Sequence, residues 1–219
     1  MKPTPYNEGP YMVLGLCGRA GAGKDTCADI LCEAFSFYRL AFADAVRAEI
    51  VHSFGVDPAI FSREDKEQKT IGLAIGRCAD ADFIRLMSSR GENISAARTP
   101  REIMRWWGTE YRRAQNPAYW LDRAAEKIND AMRRGFRRII VTDVRFTNEA
   151  DLIRHYDGDV WMIQRNSADA ARADHQSETE VGLIHTDATI ENNDSIVRLA
   201  SLSVRTLIDR TDERSRQGE

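Results

Sequence analysis

Three glycines, a lysine and an acid stand close enough together to bind a polyphosphate. Gly18, Gly21 and Gly23 precede Lys24, Asp25 and Thr26, and Gly18, Gly23 and Lys24 satisfy the spacing Gly-x4-Gly-Lys. Glycines let a loop curl so that its backbone N–H groups point inward, where they bind phosphate oxygens. The lysine adds a cation that reaches the terminal phosphates, and the N-terminus of a following helix adds positive dipole. A hydroxyl normally follows the lysine and faces magnesium. Here Asp25 takes that slot and Thr26 comes next. A carboxylate is also a hard oxygen donor, so Asp25 is a candidate magnesium ligand, directly or through water.

A loop of this kind works only between a strand and a helix. Residues 11–17 form an apolar run suited to a buried strand. Residues 24–36 place Ile30, Leu31, Ala34 and Phe35 on one helical face. Further along, short apolar runs alternate with helical periodicity. Strands are expected at 38–42, 136–143, 159–164 and 187–190, and helices at 43–54, 99–113, 118–132, from the turn at 144–149 to about 155, and after the cap at 192–195. This β-α-β-α alternation predicts an α/β fold with a parallel sheet of about five strands flanked by helices. Ligands then bind beyond the carboxyl ends of the strands, where the loop, Asp143 with Arg145, and Arg165 all fall.

Composition limits the function classes. A chain of 219 residues with 42% hydrophobic and 30% charged residues forms one core with insertions. A net charge of −3 argues against stable nucleic-acid binding as the main role. Cys17, Cys27, Cys32 and Cys78 form no Cys-x-x-Cys pair and read as reduced, packed thiols rather than a zinc site. No apolar run is long enough to span a membrane, and no signal-peptide core is present, which leaves the cytoplasm as the expected compartment.

The middle of the chain offers more candidates. Asp44 and Arg47 open a helix just past a strand end. Residues 55–99, with the charge run 61–69 and Gly72, Gly76 and Gly91, read as an insertion over the core, within which the sequence does not single out Arg63 or Lys69. Thr99, Pro100 and Glu102 make a strong helix start, and Arg101, Arg105 and Arg112 follow on neighbouring turns. Trp106 and Trp107 cannot share one face of an α-helix, so at least one of them packs. Trp120 is read either as a base-stacking ring or as core. Glu149 is read either as an arginine or sugar contact or as a structural helix residue, and Asn192 either as an adenine neighbour or as a turn residue. His175, Ser177 and Glu178 are sequence neighbours without a nucleophile elbow, which argues against a hydrolase.

Taken in order, the Gly-x4-Gly-Lys-Asp-Thr loop, the Trp-Gly-Thr-Glu segment ending at Glu110, the pair Tyr119 and Trp120, the Asp-Val-Arg-Phe-Thr-Asn-Glu stretch ending at Glu149, the segment from His175 to Glu178 and the closing run from Ile190 to Ser195 resemble one family. It is the bacteriophage deoxynucleoside monophosphate kinases, within the P-loop nucleoside monophosphate kinase fold. The resemblance runs from about residue 12 to 208 and is weakest over 55–99. Asp25 is no departure from this family, which commonly reads Gly-Lys-Asp-Thr.

The resemblance implies transfer of the γ-phosphoryl of ATP, with Mg2+, to a deoxynucleoside monophosphate. It also implies a core (about 11–43 and 115–210), a substrate-binding insertion (about 44–114) and a lid (about 166–186). On that reading Gly18, Gly21, Gly23, Lys24, Asp25, Thr26 and Asn192 bind ATP. Lys24, Arg145 and Arg165 are the catalytic cations, and Asp25 and Asp143 serve the metal. Asp44, Arg47, Arg101, Arg105, Thr109, Arg112, Trp120, Asp143, Arg145 and Glu149 meet the acceptor. Host cytoplasm is the expected location if a phage encodes the chain, and a homodimer is compatible with the sequence. The alternatives are a kinase for another small acceptor, of the dephospho-coenzyme A or phosphomevalonate type, and a nucleotide-dependent ATPase or switch.

Overall fold

The computed structural model describes residues 11–62, 64–166 and 180–217. Two compact units divide the chain, one made of Met1–Ala41 with Ala125–Glu219 and the other of Phe42–Ala124.

The first unit is built on a five-stranded sheet. Its strands are β1 (Met12–Cys17), β2 (Tyr38–Leu40), β3 (Arg138–Val144), β4 (Asp159–Gln164) and β5 (Ala188–Glu191). They lie in the order β2-β3-β1-β4-β5, and every pairing is parallel. The central strand explains its own sequence. Val13, Leu14, Leu16 and Cys17 are at most 1% exposed, because a strand covered on both faces needs a continuous apolar run.

Helices α1 (Lys24–Phe35) and α7 (Ile196–Gln217) cover one face, where Cys27, Ala28, Leu31, Leu199 and Leu207 pack on Leu14, Leu16, Ile140, Trp161, Ile163 and Ile190. Helix α6 (Thr147–His155) packs against β1 and β4. It comes so close that a methyl group added at Gly15 would sit 3.0 Å from Ile153. The expected strand 38–42 is corrected at its end, since β2 stops at Leu40 and helix α2 (Phe42–Phe54) has begun by Phe42.

Helix α7 runs past Asp212 and stays helical to Gln217. An ion cluster holds it. Asp159, 8% exposed, accepts hydrogen bonds from Arg210 Nε (3.0 Å) and Nη2 (3.1 Å) and from Arg214 Nη2 (2.7 Å). Burial pushes the Asp159 carboxyl pKa up, but the Arg210 hydrogen bond and the charges of Arg214 and Arg210 outweigh it and hold the group below the ordinary aspartate range. A depressed carboxylate contributes stability above its unfolded pKa and loses it as pH falls through the folded value. Asp159→Asn therefore costs about 2 kcal/mol at neutral pH, a figure reduced because both arginines are partly exposed. It also flattens the acid limb of the stability profile, as urea unfolding at neutral and acid pH will report.

The second unit contains α2, α3 (Ala81–Ser89), α4 (Pro100–Arg105) and the start of α5 (Tyr119–Arg133), joined by short 3-10 turns. Asp80 caps α3 by accepting from Asp82 N and Phe83 N, and Thr99 and Glu102 form the expected capping box of α4. The regular helix expected over 99–113 is corrected. After Arg105 the chain widens into a π-helix, Trp106–Arg113. The wider turn buries Trp106, Trp107 and Tyr111 together, at 5%, 0% and 3% exposure, so both tryptophans pack. Trp107 stacks with Phe83 (4.9 Å between ring centres) and Tyr111 (5.3 Å). Glu49 of α2 binds the wide turn from outside, accepting from Trp107 Nε1 (2.9 Å), Arg112 Nε (3.1 Å) and Tyr119 Oη (2.6 Å).

Among the described residues, no helix is long and apolar enough to cross a membrane. All four cysteines are free thiols, and burial pushes Cys17 up to about 12 and Cys27 to about 11.

Candidate active site

The loop between β1 and α1 places Gly18, Gly21 and Gly23 at φ +133°, +80° and +102°. These are left-handed conformations that side chains disfavour. A methyl group at Gly18 would lie 2.2 Å from the Ile163 carbonyl of β4, and one at Gly23 would lie 2.3 Å from Asn192 Nδ2. At Gly21 it would meet nothing within 4 Å. The loop is thus pressed against the sheet at both ends and open at its middle, which is the shape a phosphate cradle requires.

Lys24 begins α1, and its ammonium folds back to donate to the carbonyls of Gly18 (2.8 Å) and Arg19 (2.9 Å). Burial, and then the nearby Arg145 guanidinium, hold its pKa below the ordinary lysine value; Asp25 and Asp143 pull the other way. Lys24 thus feels one cation, Arg145, from the carboxyl end of β3, and two carboxylates, Asp25 and Asp143.

The structure settles the geometry of several residues read ambiguously in the sequence. Glu149 is 2% exposed, and its Oε2 accepts from the backbone N–H of Arg145 (2.8 Å) and Phe146 (3.3 Å). It braces the turn that presents Arg145, a structural role at the start of α6. Asn192 is 8% exposed; its Nδ2 donates to Ala22 O (2.8 Å) and its backbone N–H to Gln164 O (2.8 Å). It ties the loop to the end of β4 and so acts as a loop brace. Trp120 is 3% exposed and donates from Nε1 to Gly108 O (2.8 Å), so its ring packs in the second unit.

Arg101, Arg105 and Arg112 do not converge. Arg101 pairs with Glu67, Arg105 lies 3.5 Å from Glu110, and Arg112 is held by Glu49 and Asp80 among the rings of Trp107, Tyr111 and Tyr119. Two carboxylates and three rings hold Arg112 in place. Asp44 and Arg47 pair with each other at 3.0 Å, and Thr109 lies half-buried on the π-helix. Arg165, exposed, follows β4 directly. Most of the expected lid, with His175, Ser177 and Glu178, lies outside the described residues, as does Arg63.

Two features escaped the sequence reading. Arg39 of β2 donates to both Asp25 and Asp29, bridging the slot after the lysine to the next turn of α1. Asn148, just beyond Arg145, carries a buried Oδ1 without a hydrogen-bond partner. A long cross-chain contact of a lone arginine leaves no periodic signal, and an asparagine near a helix start reads as capping. Neither was findable from spacing. Among the described residues, no group of three or more His, Cys, Asp and Glu side chains is placed to hold a metal ion. Asp25 and Asp143 are single oxygen donors, which fits a hard cation that takes its remaining ligands from phosphates and water.

Residues 59–202, well over half of the chain, match the family model for deoxynucleotide monophosphate kinase. The chain belongs to that family. The match begins downstream of the phosphate loop, so the loop of this kinase is a separate observation. A protein of Acanthamoeba polyphaga mimivirus, named provisionally as a deoxynucleotide monophosphate kinase, is 24% identical over 201 residues, covering 84% of the present kinase and 90% of the viral protein. Among solved structures, TT1252 of Thermus thermophilus (TM-score 0.51, 14% identity) and dephospho-CoA kinase of Campylobacter jejuni (TM-score 0.50, 12% identity) each cover 92% of the kinase and are covered over 98% of their own length. At that identity the likeness is one of fold, the parallel sheet flanked by helices that P-loop kinases share.

Proposed function

We propose that this kinase transfers the γ-phosphoryl group of ATP to a deoxynucleoside monophosphate, giving the diphosphate and ADP. The observation that carries the reading is the glycine loop, closely packed at Gly18 and Gly23 and open at Gly21, with the Lys24 ammonium folded back onto it. Phosphoryl transfer needs positioning and charge stabilisation rather than covalent help from the protein. The acceptor is already an oxyanion and needs no general base. In this scheme Lys24 exchanges the Gly18 and Arg19 carbonyls for β- and γ-phosphate oxygens. Arg145, its turn fixed by Glu149, neutralises the transferring group, and Arg165 adds charge from the end of β4. Asp25 and Asp143 hold magnesium, which supplies charge neutralisation at the phosphates when bound. Residues 44–114 supply the acceptor contacts, from Asp44, Arg47, Arg101, Arg105 and Thr109.

An ADP-release assay across the deoxynucleoside and ribonucleoside monophosphates tests the proposal. Stimulation by deoxynucleoside monophosphates supports it, and absence of stimulation by any of them overturns it. A hydroxyl acceptor would need a base, for which Asp143 is the residue at hand. Asp143→Asn therefore impairs transfer to a hydroxyl far more than transfer to a phosphate.

The pH dependence follows from Lys24. Its pKa is depressed, so the charged form is lost at lower pH than for a solvent-exposed lysine. The alkaline limb of kcat/KM for ATP accordingly falls earlier than an ordinary lysine would give. Arg145→Gln removes the neighbouring positive charge, raises the Lys24 pKa and moves that limb to higher pH even as it lowers the rate. A limb that stays in place would show that Lys24 and Arg145 are not coupled.

A further inference from the structure

Five side chains among the described residues bury a polar atom that finds no hydrogen-bond partner: Arg47 Nε, Arg98 Nε, Glu110 Oε2, Asn148 Oδ1 and Trp161 Nε1. Glu110 is the one carboxylate among them. A buried carboxylate oxygen without a donor is among the most costly polar groups a fold can hold, and its retention calls for a reason. The other oxygen does little better. Oε1 lies 3.5 Å from Arg105 Nε, beyond a good hydrogen bond, and the side chain as a whole is 19% exposed.

Packing does not account for Glu110. Its neighbours on the π-helix are committed: Trp106, Trp107 and Tyr111 are buried, and the Gly108 carbonyl is taken by Trp120. Wide helical turns of this kind concentrate at functional sites. The π-helix also touches α2 at this point, since a methyl group at Gly108 would lie 3.8 Å from Val46. The next residue of α2 is Arg47, whose Nε–H is another of the buried atoms without a partner. An unmet acceptor and an unmet donor therefore stand on two helices that touch.

The sign of the charge says what belongs there. A carboxylate repels phosphate and suits a neutral hydrogen-bond donor, which a nucleotide offers on its sugar and base. We propose that Glu110 is a specificity-determining residue for the acceptor, receiving a hydrogen bond from a neutral donor of the nucleoside, either a sugar hydroxyl or a base N–H. This inference rests on the acceptor class given under Proposed function.

The test is Glu110→Gln, which keeps size and removes charge, assayed with the four deoxynucleoside monophosphates and one 2′,3′-dideoxynucleoside monophosphate. If the donor is the sugar hydroxyl, kcat/KM falls about tenfold for all four, mainly through KM, and is unchanged for the dideoxy compound. If the donor is a base N–H, the fall differs among the four bases, and the dideoxy compound falls with its parent. In both cases the melting temperature holds or rises, because a buried charge has gone. The same change in kcat/KM for all five substrates, including no change, overturns the inference while the kinase reading stands. A wild-type protein that turns over none of the five overturns both.

Discussion

Lys24→Ala lowers kcat about a thousandfold while leaving the melting temperature unchanged or slightly raised. The loss follows from removing a fixed cation from the transferring phosphates, an effect of roughly 4 kcal/mol in comparable sites. The stability result follows from the depressed pKa. A lysine whose charged form is disfavoured in the folded state destabilises the fold at any pH where it is protonated, and alanine removes that cost along with the two hydrogen bonds to Gly18 and Arg19. Activity and stability thus move apart. Steady-state kinetics and thermal unfolding on the same preparation check this, and a variant that loses both together would show that Lys24 is a structural residue.

Gly18→Ala acts in the opposite way, through the fold. Its added methyl group would lie 2.2 Å from the backbone oxygen of Ile163, at a φ of +133° that an alanine strongly disfavours. The obstacle is main chain in β4, which pairs with β1 at Leu16 with Trp161 and at Cys17 with Met162, so it cannot retreat without opening the centre of the sheet. We expect a cost of about 3 kcal/mol or more and the loss of ATP binding. Gly21→Ala is the control. Its φ is +80°, but nothing lies within 4 Å, so only the backbone strain of about 1 kcal/mol remains. Urea unfolding of the two variants separates the loop's anchored end from its open middle. Equal costs would mean that the Ile163 contact does not limit the loop.

What could be read in the sequence was whatever local spacing encodes. The strand, glycine turn and helix around Lys24 are contiguous, and so are the capping box at Thr99 and the burial of β1. The strand ends bearing Asp143, Arg145 and Arg165 followed from alternation alone. Spacing gives the face on which a residue lies, not what it meets there. That is why Trp120, Glu149 and Asn192 were each left with two readings. The carbonyl, backbone N–H or loop that each of them meets is one that only folding brings near. Glu49 drew no notice because its three hydrogen-bond donors lie 58 to 70 residues away. The π-helix was illegible for a related reason: its aromatic residues fit ordinary helical periodicity well enough to hide the wider turn.

The brace from Asn192 has a consequence for how the protein is made. The phosphate loop is translated well before three segments that shape it. The carbonyl of Ile163 bounds Gly18, Asn192 holds Ala22, and Ser203 meets Cys27 on the first helix (3.2 Å). Sequence separations of 170 and 176 residues mean that two of these contacts form only after a long further stretch has been synthesised. On a translating ribosome, capture of a nucleotide should therefore appear abruptly and late, once the segment carrying Asn192 has cleared the exit tunnel. A nascent chain stalled before that point carries the full glycine-lysine motif and binds nothing with it.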